Sequence, residues 1–206
     1  MSSLFYFDPM LYRVRSAQVK DLPQVADVLT GSFYPSLGWR RCLYPILRFS
    51  IYEDLRQRLQ NNQRYYRCLA AITPASSHDQ NRVVGTVEMS YRRYSWRAFN
   101  EPQQIYLSNL AVQENHRRRG VARMLLQFAE QQALEWGFRN LYLHVMADNR
   151  RARQLYQQMG YEVQYAEMTL LSLLNVQPRR LLLKKVVSQR TPANSVNPKA
   201  PQTSLS

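Results

Sequence analysis

Four arginines around one glycine are the first residues in this sequence whose types and spacing could do chemistry. Arg117, Arg118 and Arg119 directly precede Gly120, and Arg123 follows it by three positions. If a helix begins here, its first backbone N–H groups have no partner within the helix, and its dipole favours negative charge. Glycine lets a phosphate approach the backbone closely. The segment therefore predicts an anion site, with a basic loop before an ordinary surface helix as the alternative.

The elements on both sides of this loop follow from the hydrophobic pattern. Residues 104–112 are rich in aliphatic, aromatic and β-branched side chains and predict a strand. From Gly120 onward, Val121, Leu125 and Ala133 recur at helical spacing. The loop lacks the Gly-Lys-Ser/Thr ending of a P-loop, and it has only one of the three small positions of a dinucleotide fingerprint. We therefore predict a phosphate-binding turn of another type.

A second group of residues follows the next predicted strand, and the two groups together resemble a known family. Asn149 to Tyr161 reads Asn-x-x-Ala-x-x-x-Tyr-x-x-x-Gly-Tyr, and Arg117 to Ala122 reads Arg-x-x-Gly-x-Ala. Both are similar to signatures of the GCN5-related N-acetyltransferases, and they occur in the same order. The strand end Leu110-Ala111-Val112 is also similar to that family. The resemblance covers residues 12–187.

The expected element order is a strand, two helices, three strands, a helix, a strand, a helix and two strands. We predict strands at 12–15, 65–72, 82–91, 104–112, 140–146, 161–165 and 180–187. The first helix follows Asp21 as its cap, with Pro23 in its first turn, and ends near Gly31. The others lie at 46–60, from Gly120 to about 136, and at 149–159. This is an α/β fold, a mixed sheet of about seven strands covered by about four helices. The resemblance implies a central parallel pair that splays apart and admits the cofactor.

Length and composition favour a single domain at residues 11–187, after an extension at 1–10 and before a disordered tail at 188–206. No role is assigned to residues 167–177. The N-terminal residues lack the pattern of a secretory signal, and no apolar run approaches the ~20 residues of a membrane helix. Cys42 and Cys68 have neither a disulfide nor a metal-binding spacing. We therefore expect a cytoplasmic protein that binds no metal and no membrane.

The formal net charge of +14 is large for 206 residues. It suits a polyanionic ligand, a nucleic acid or the ribosome surface, and charge alone does not choose among them. The turn Arg92 to Arg97 interleaves arginines with aromatic residues that could stack on bases, although a solvated hairpin tip is the simpler interpretation. The oligomeric state is not predicted.

The resemblance implies that acetyl-CoA is the co-substrate and that no metal is needed. Backbone groups of Leu110 and Val112 would meet the acetyl and pantetheine groups, and the main chain from Arg118 to Arg123 would hold the pyrophosphate. Asn149 would meet the pantetheine arm. The full set of predicted cofactor contacts is Leu110, Ala111, Val112, Arg118, Arg119, Gly120, Val121, Ala122, Arg123, Asn149, Ala152 and Tyr156.

Acetyl transfer to an amine needs a neutral amine, donors for the developing oxyanion and a proton for the leaving thiolate. The resemblance implies that Tyr156 is the general acid. His144 and Tyr106, on neighbouring predicted strands, resemble the pair that acts as a base through water in NatE-type N-terminal acetyltransferases. A core histidine bonded to a backbone carbonyl is the alternative for His144. Glu88 is the rival base, provided that it does not face solvent.

The leading hypothesis is direct acetyl transfer, in a ternary complex, to protein N-terminal α-amines and to lysine side chains as a further possibility. The family members that the chain resembles are cyanobacterial, plastid and N-terminal (NatE- and RimI-like) protein acetyltransferases. The alternative within the same chemistry is a small-molecule amine acetyltransferase. The alternative from another class is a nucleic-acid- or ribosome-binding protein on a degenerate acetyltransferase fold.

Overall fold

The computed structural model describes residues 12–33, 43–61, 63–73, 82–92, 104–167 and 178–188. Several sequence predictions concern residues outside these ranges: the extension at 1–10, Cys42, the basic turn beyond Arg92, most of the segment at 167–177 and the tail. These stay predictions.

Seven strands and four helices form the described part of the chain, in the predicted order. The strands are β1 (Arg13–Ser16), β2 (Tyr66–Ile72), β3 (Val83–Arg92), β4 (Gln104–Val112), β5 (Asn140–Met146), β6 (Glu162–Glu167) and β7 (Arg180–Val186). The helices are α1 (Leu22–Phe33), α2 (Tyr44–Gln60), α3 (Val121–Glu135) and α4 (Arg150–Gln158). Two short 3₁₀ helices lie at Val19–Asp21 and Glu114–His116.

The strands form one mixed sheet in the order β1-β2-β3-β4-β5-β7-β6. Strands β4 and β5 are parallel, whereas the other neighbours are antiparallel. The parallel pairing runs only from Gln104 beside Asn140 to Leu107 beside Leu143. Beyond these residues both strands continue without pairing to each other. The predicted fold class, including the splayed parallel pair, is confirmed.

The core lies on both faces of the sheet. On one face, α3 packs through Val121, Leu125 and Ala129 against buried residues of β3, β4 and β5. On the other face, α1 and Leu55 of α2 pack against β2 and β3. Strand β5 alternates between buried and half-buried residues, so His144 lies on the opposite face from Leu141, Leu143 and Val145. We call the His144 side of the sheet the groove face.

Several element bounds differ from the sequence predictions for local reasons. Asp21 does not cap α1, because it ends the preceding 3₁₀ helix and its carboxylate accepts hydrogen bonds from the Gln18 N–H and from Arg15. Helix α1 continues through Gly31, since one glycine does not end a helix that is packed on a core. Helix α2 begins two residues earlier than predicted, because a helix tolerates Pro45 in its first turn.

The bounds of β6 also differ from the strand predicted at 161–165. Strand β6 begins at Glu162 and extends to Glu167. Glu167 was expected to lie beyond the strand predicted at 161–165, in the segment at 167–177 without an assigned role. Its pairing with Arg180 of β7 places it in the sheet. Within the described ranges, no helix is long and apolar enough to cross a bilayer.

Candidate active site

A bulge in β4 separates the two central strands. Thr86 pairs with Ala111 and Glu88 pairs with Ser108, so Asn109 and Leu110 together lie opposite one residue of β3. Asn109 has a φ of 53°, in the left-handed region that asparagine tolerates better than most residues. Its side-chain amide donates a hydrogen bond to Glu88. The bulge lies just past the last residue of β4 that pairs with β5, and the unpaired strand ends border a gap in the sheet.

The predicted anion loop leads from the end of β4 into the N-terminus of α3. Arg118 and Gly120 have φ values of 65° and 81°, and Gly120 is the N-cap residue without a side-chain cap. At this end of α3, the Met124 N–H donates to the Gly120 carbonyl at 3.0 Å. The N–H groups of the preceding residues therefore lie ahead of the helical ladder. This is the backbone arrangement that binds phosphate.

The arginine side chains of this loop have different partners. Arg117 Nε donates to the Val112 carbonyl at 3.0 Å, which ties the loop to the end of β4. Arg123 donates to Gln158 of α4 at 3.2 Å. The Val112 carbonyl, expected to face the pantetheine, therefore already accepts this hydrogen bond and a longer one, at 3.5 Å, from the Ser32 hydroxyl.

Helix α4 and its N-cap carry more of the predicted site residues. Asn149 is the N-cap residue, and its Oδ1 accepts from the Ala152 N–H at 3.1 Å. This cap does not use the amide nitrogen of Asn149, which keeps its donors for a ligand. Tyr156 is 8% exposed and packs edge-on against Tyr161. Burial, together with the nearby Tyr106, raises the pKa of Tyr156 to about 12. The hydroxyl therefore carries a proton at neutral pH.

The groove face carries a chain of three hydrogen-bonded side chains. The hydroxyl of Tyr106 lies 2.7 Å from His144 Nδ1, and His144 Nε2 lies 2.8 Å from Glu167 Oε1. An ionised carboxylate only accepts hydrogen bonds, which assigns the histidine proton to Nε2. Nδ1 then accepts from the Tyr106 hydroxyl. The structure thus brings together the two residues predicted as the base, and it adds Glu167.

The groups around these three hydrogen-bonded side chains have opposing effects on the pKa values of His144 and Tyr106. Burial lowers the pKa of His144, the hydrogen bond and charge of Glu167 raise it, and Arg180 and Arg92 lower it further, with a net decrease. Burial raises the pKa of Tyr106 although both arginines oppose the increase. The Arg92 guanidinium carbon lies 4.2 Å from the centre of the Tyr106 ring. At neutral pH His144 is therefore neutral and Tyr106 is protonated.

Glu88 lies in the interior, only 1% exposed, so it meets the condition set for the rival base. Its carboxylate accepts hydrogen bonds from Arg58 at 2.9 Å, from the Tyr66 hydroxyl at 2.7 Å and from Asn109. These donors come from α2, β2 and β4. The contacts describe an anchored carboxylate at the bulge, and a role as base stays a prediction.

Sequence reasoning missed Glu167 because no motif marks it. It lies at the end of the exposed strand β6, and it reaches His144 only because β7 pairs with both β5 and β6. Across the described residues, no group of three His, Cys, Asp or Glu side chains is placed to hold a metal ion.

The described residues thus combine a parallel pair that separates after Leu107, a helix N-terminus without a side-chain cap, and a tyrosine hydroxyl bonded to a histidine imidazole. The sequence profile of the Acetyltransferase (GNAT) family matches residues 35–161. This covers more than half of the chain, and the chain belongs to that family.

Relatives of this chain include plant and bacterial acetyltransferases. It is 38% identical over 110 residues to GCN5-related N-acetyltransferase 7, chloroplastic, of Arabidopsis thaliana, covering 49% of this chain and 40% of that protein. It is 34% identical over 136 residues to the mycothiol acetyltransferase of Jonesia denitrificans, covering 66% of this chain and 39% of that protein. The chain thus spans less than half the length of these curated relatives.

The fold is shared with solved structures at low identity. Arabidopsis thaliana NAA60 in complex with a bisubstrate analogue has a TM-score of 0.62 and 20% identity, covering 85% of this chain and 97% of that one. The same protein has also been solved in complex with acetyl-CoA. This likeness confirms the fold.

Proposed function

We propose that this protein is an acetyl-CoA-dependent N-acetyltransferase that acts on the N-terminal α-amines of proteins. The observation that carries the proposal is the Tyr106–His144 hydrogen bond on the groove face, beside the point where β4 and β5 separate. A neutral histidine paired with a tyrosine can accept one proton from an amine, either directly or through water. Tyr156 of α4 also carries a proton, because burial and the nearby Tyr106 raise its pKa.

The residues beside the gap fit acetyl-CoA. The N–H groups of Val121, Ala122 and Arg123 would hold the pyrophosphate, and Gly120 leaves space for it. Asn149 would meet the pantetheine arm through its amide nitrogen. When bound, acetyl-CoA supplies an acetyl group activated as a thioester. Tyr156 would hold a proton where the sulfur leaves, and the Tyr106–His144 pair would take the proton of the amine.

The properties of this base favour an α-amine over a lysine. At pH 7.5 an α-amine with a pKa of ~7.7–8.0 is about one-quarter to two-fifths neutral, whereas a lysine of pKa ~10.4 is neutral in about one molecule in a thousand. A histidine whose pKa is lowered is a weak base, so it suits the amine that is already partly neutral. Arg92 and Arg180 near Tyr106 repel any ammonium group, which favours the acceptor that is neutral more often.

A small amine is the second candidate acceptor. One relative is named a mycothiol acetyltransferase, and the matched region covers 66% of this chain. A contact with the ribosome or another polyanion is a separate proposal, supported by the net charge of +14. We keep a cytoplasmic location as a proposal, although the Arabidopsis relative is named as chloroplastic.

Acetyl-CoA turnover, measured as thiol release, tests the acceptor. One peptide has a free N-terminus and no lysine, the second has a blocked N-terminus and one lysine, and a small amino sugar is the third acceptor. We expect turnover of the first peptide, with mass spectrometry locating the acetyl group on its α-amine. His144→Ala should lower this rate about 100-fold or more, while His116→Ala serves as the matched control. Turnover of only the blocked peptide or only the small amine would refute the α-amine proposal.

A further inference from the structure

We propose that Glu167 is a positioning residue that holds His144 in one tautomer and stabilises it when it takes up a proton. This inference rests on the proposed function, because it concerns the same base. Glu167 would not touch the amine or acetyl-CoA, and it would act only through His144. Glu167 belongs to neither family signature, and it is not part of the His144–Tyr106 pair that was predicted as the general base.

The first support is the geometry. His144 Nε2 and Glu167 Oε1 are 2.8 Å apart, a distance typical of a charge-assisted hydrogen bond. The His144 side chain is 9% exposed and the Glu167 side chain is 28% exposed, so the imidazole is largely shielded from water and the carboxylate is partly shielded. Glu167 reaches it across β7, where Leu182 pairs with His144 on one side and with Tyr165 on the other. The sheet register therefore sets this contact.

The second support is the direction of the hydrogen bonds. With the proton on Nε2 directed at Glu167, Nδ1 has its lone pair directed at the Tyr106 hydroxyl. The other tautomer would place a proton on Nδ1 and leave Nε2 facing a carboxylate without a donor. Glu167 thus selects the tautomer that can accept a proton from the Tyr106 side. In the Ser-His-Asp triad, the aspartate holds the histidine in the correct tautomer in the same way.

The third support is the balance of charge around His144. Among the residues that the structure describes, the charged or titratable groups that act on it include Arg92 from β3, Tyr106 from β4, Glu167 from β6 and Arg180 from β7. Both arginines disfavour a protonated imidazole, and Glu167 favours it. Arg180 Nε lies 3.8 Å from Glu167 Oε2, so this arginine also supports the ionised carboxylate. Glu167 therefore offsets the effect of Arg92 and Arg180 on the imidazolium.

Two protons move in the proposed reaction. As the new N–C bond forms and the C–S bond breaks, one proton leaves the amine nitrogen and one is needed at the sulfur. The first ends on His144 Nδ1, directly or by way of the Tyr106 hydroxyl, which returns to its protonated form. The second comes from Tyr156. Glu167 remains ionised throughout and keeps its hydrogen bond to Nε2.

The test combines turnover of the free N-terminal peptide with NMR of histidine side chains. Glu167→Gln removes the charge, and Glu167→Ala removes the hydrogen bond as well. The matched control is Glu162→Gln, an exposed carboxylate on the same strand. The chain has three histidines, and the His144 signals are identified by their loss in His144→Ala.

We expect the wild-type His144 to have its proton on Nε2 and Glu167→Ala to show a mixture of tautomers. Both Glu167 variants should lower the pKa of His144 and reduce kcat about 10- to 100-fold, at unchanged KM for acetyl-CoA. Glu162→Gln should change none of these values. Glu167→Asp should recover part of the rate. A change in protein stability alone would not move the tautomer of a histidine that stays in place.

Two results would overturn the inference. One is a wild-type His144 with its proton on Nδ1, and the other is a Glu167→Gln variant with the pKa and kcat of the control. A wild-type protein that acetylates no peptide but shows the expected NMR changes would refute the proposed acceptor and support the role of Glu167 on His144. The two proposals therefore fail in different experiments.

Discussion

At the scale of single residues, the pKa values of Tyr156 and His144 shift in opposite directions, which suits the acid role proposed for Tyr156 and the base role proposed for His144. Burial raises the pKa of the Tyr156 hydroxyl to about 12 and lowers the pKa of the His144 imidazole. Burial disfavours the charged form of each group, so both are neutral near pH 7. A neutral phenol can donate a proton and a neutral imidazole can accept one. The two groups therefore suit the acid and the base of one reaction.

Removing the Tyr156 hydroxyl tests the acid. We expect Tyr156→Phe to lower kcat about 100-fold or more, because the leaving thiolate loses its proton donor, at unchanged affinity for acetyl-CoA. Tyr161→Phe is the matched control, since the two rings pack edge-on and Tyr161 has no assigned role. Calorimetry gives the affinity and thiol release gives the rate. Equal rates for both variants would rule out Tyr156 as the acid.

The pH dependence of kcat/KM follows from the same shifts. Because the pKa of His144 is lowered, the imidazole is already neutral near pH 8. Deprotonation of His144 therefore does not limit the rate at that pH. We expect the rate to rise through the pKa of the substrate amine and to stay level to pH 10, because Tyr156 keeps its proton.

Peptides whose α-amines differ in pKa provide the check on this profile. The midpoint of the acidic limb should move with the peptide. A midpoint that stays constant among peptides would instead assign the limb to a group of the enzyme.

At the scale of elements, the position of α3 depends on close packing at Gly85 of β3. A Cβ atom there would lie 3.0 Å from Val121, 3.1 Å from the Ala111 carbonyl and 3.2 Å from Leu125. Val121 and Leu125 are buried in the first turns of α3. The small residue in β3 thus sets how closely the N-terminus of α3 approaches the sheet.

A pair of glycine substitutions tests this packing. We expect Gly85→Ala to destabilise the fold by about 1–3 kcal/mol, since buried neighbours must move, and to weaken acetyl-CoA binding. Gly31→Ala in α1 is the control, because a Cβ there meets nothing within 4 Å. It should stabilise the protein by about 0.5–1 kcal/mol. Urea unfolding measures both, and a Gly85→Ala variant as stable as wild type would contradict the packing argument.

The Glu88 carboxylate accepts hydrogen bonds from Arg58 of α2, Tyr66 of β2 and Asn109 of β4. Replacing Glu88 tests whether these contacts stabilise the fold. We expect Glu88→Gln to lower the free energy of unfolding by about 1–3 kcal/mol, because Arg58 and Tyr66 lose a charged acceptor. Glu53→Gln, at a surface ion pair of α2, should have little effect. A loss of kcat without a loss of stability would instead favour Glu88 as the base.

At the scale of the whole molecule, the net charge of +14 predicts attraction to polyanions. Binding to ribosomes or RNA through this charge should weaken steeply as salt rises from 50 to about 200 mM. Turnover of a neutral short peptide should depend on salt much less. Sedimentation with ribosomes at several salt concentrations measures the first quantity. Binding that does not respond to salt would exclude a mainly electrostatic contact.

Much of the fold was predictable from local patterns. The bounds of β4 and β5 follow from continuous or alternating apolar residues, and the start of α3 follows from Gly120 and helical spacing. The predictions were wrong where a local contact decided the outcome. Asp21 was expected to cap α1, and its carboxylate instead binds Arg15 and the Gln18 N–H.

The sequence by itself determined the family, the element order and the position of the loop before α3, because these depend on motifs and on periods of two and 3.6 residues. The tyrosine–histidine pair was expected from the resemblance, and its hydrogen bond was decided by the pairing of β4 with β5. Only the tertiary structure decided that Glu167 meets His144, that Glu88 is anchored by three donors and that the parallel pairing stops at Leu107. These contacts join residues far apart in the chain. They depend on strand register and on a bulge, and neither leaves a local pattern in the sequence.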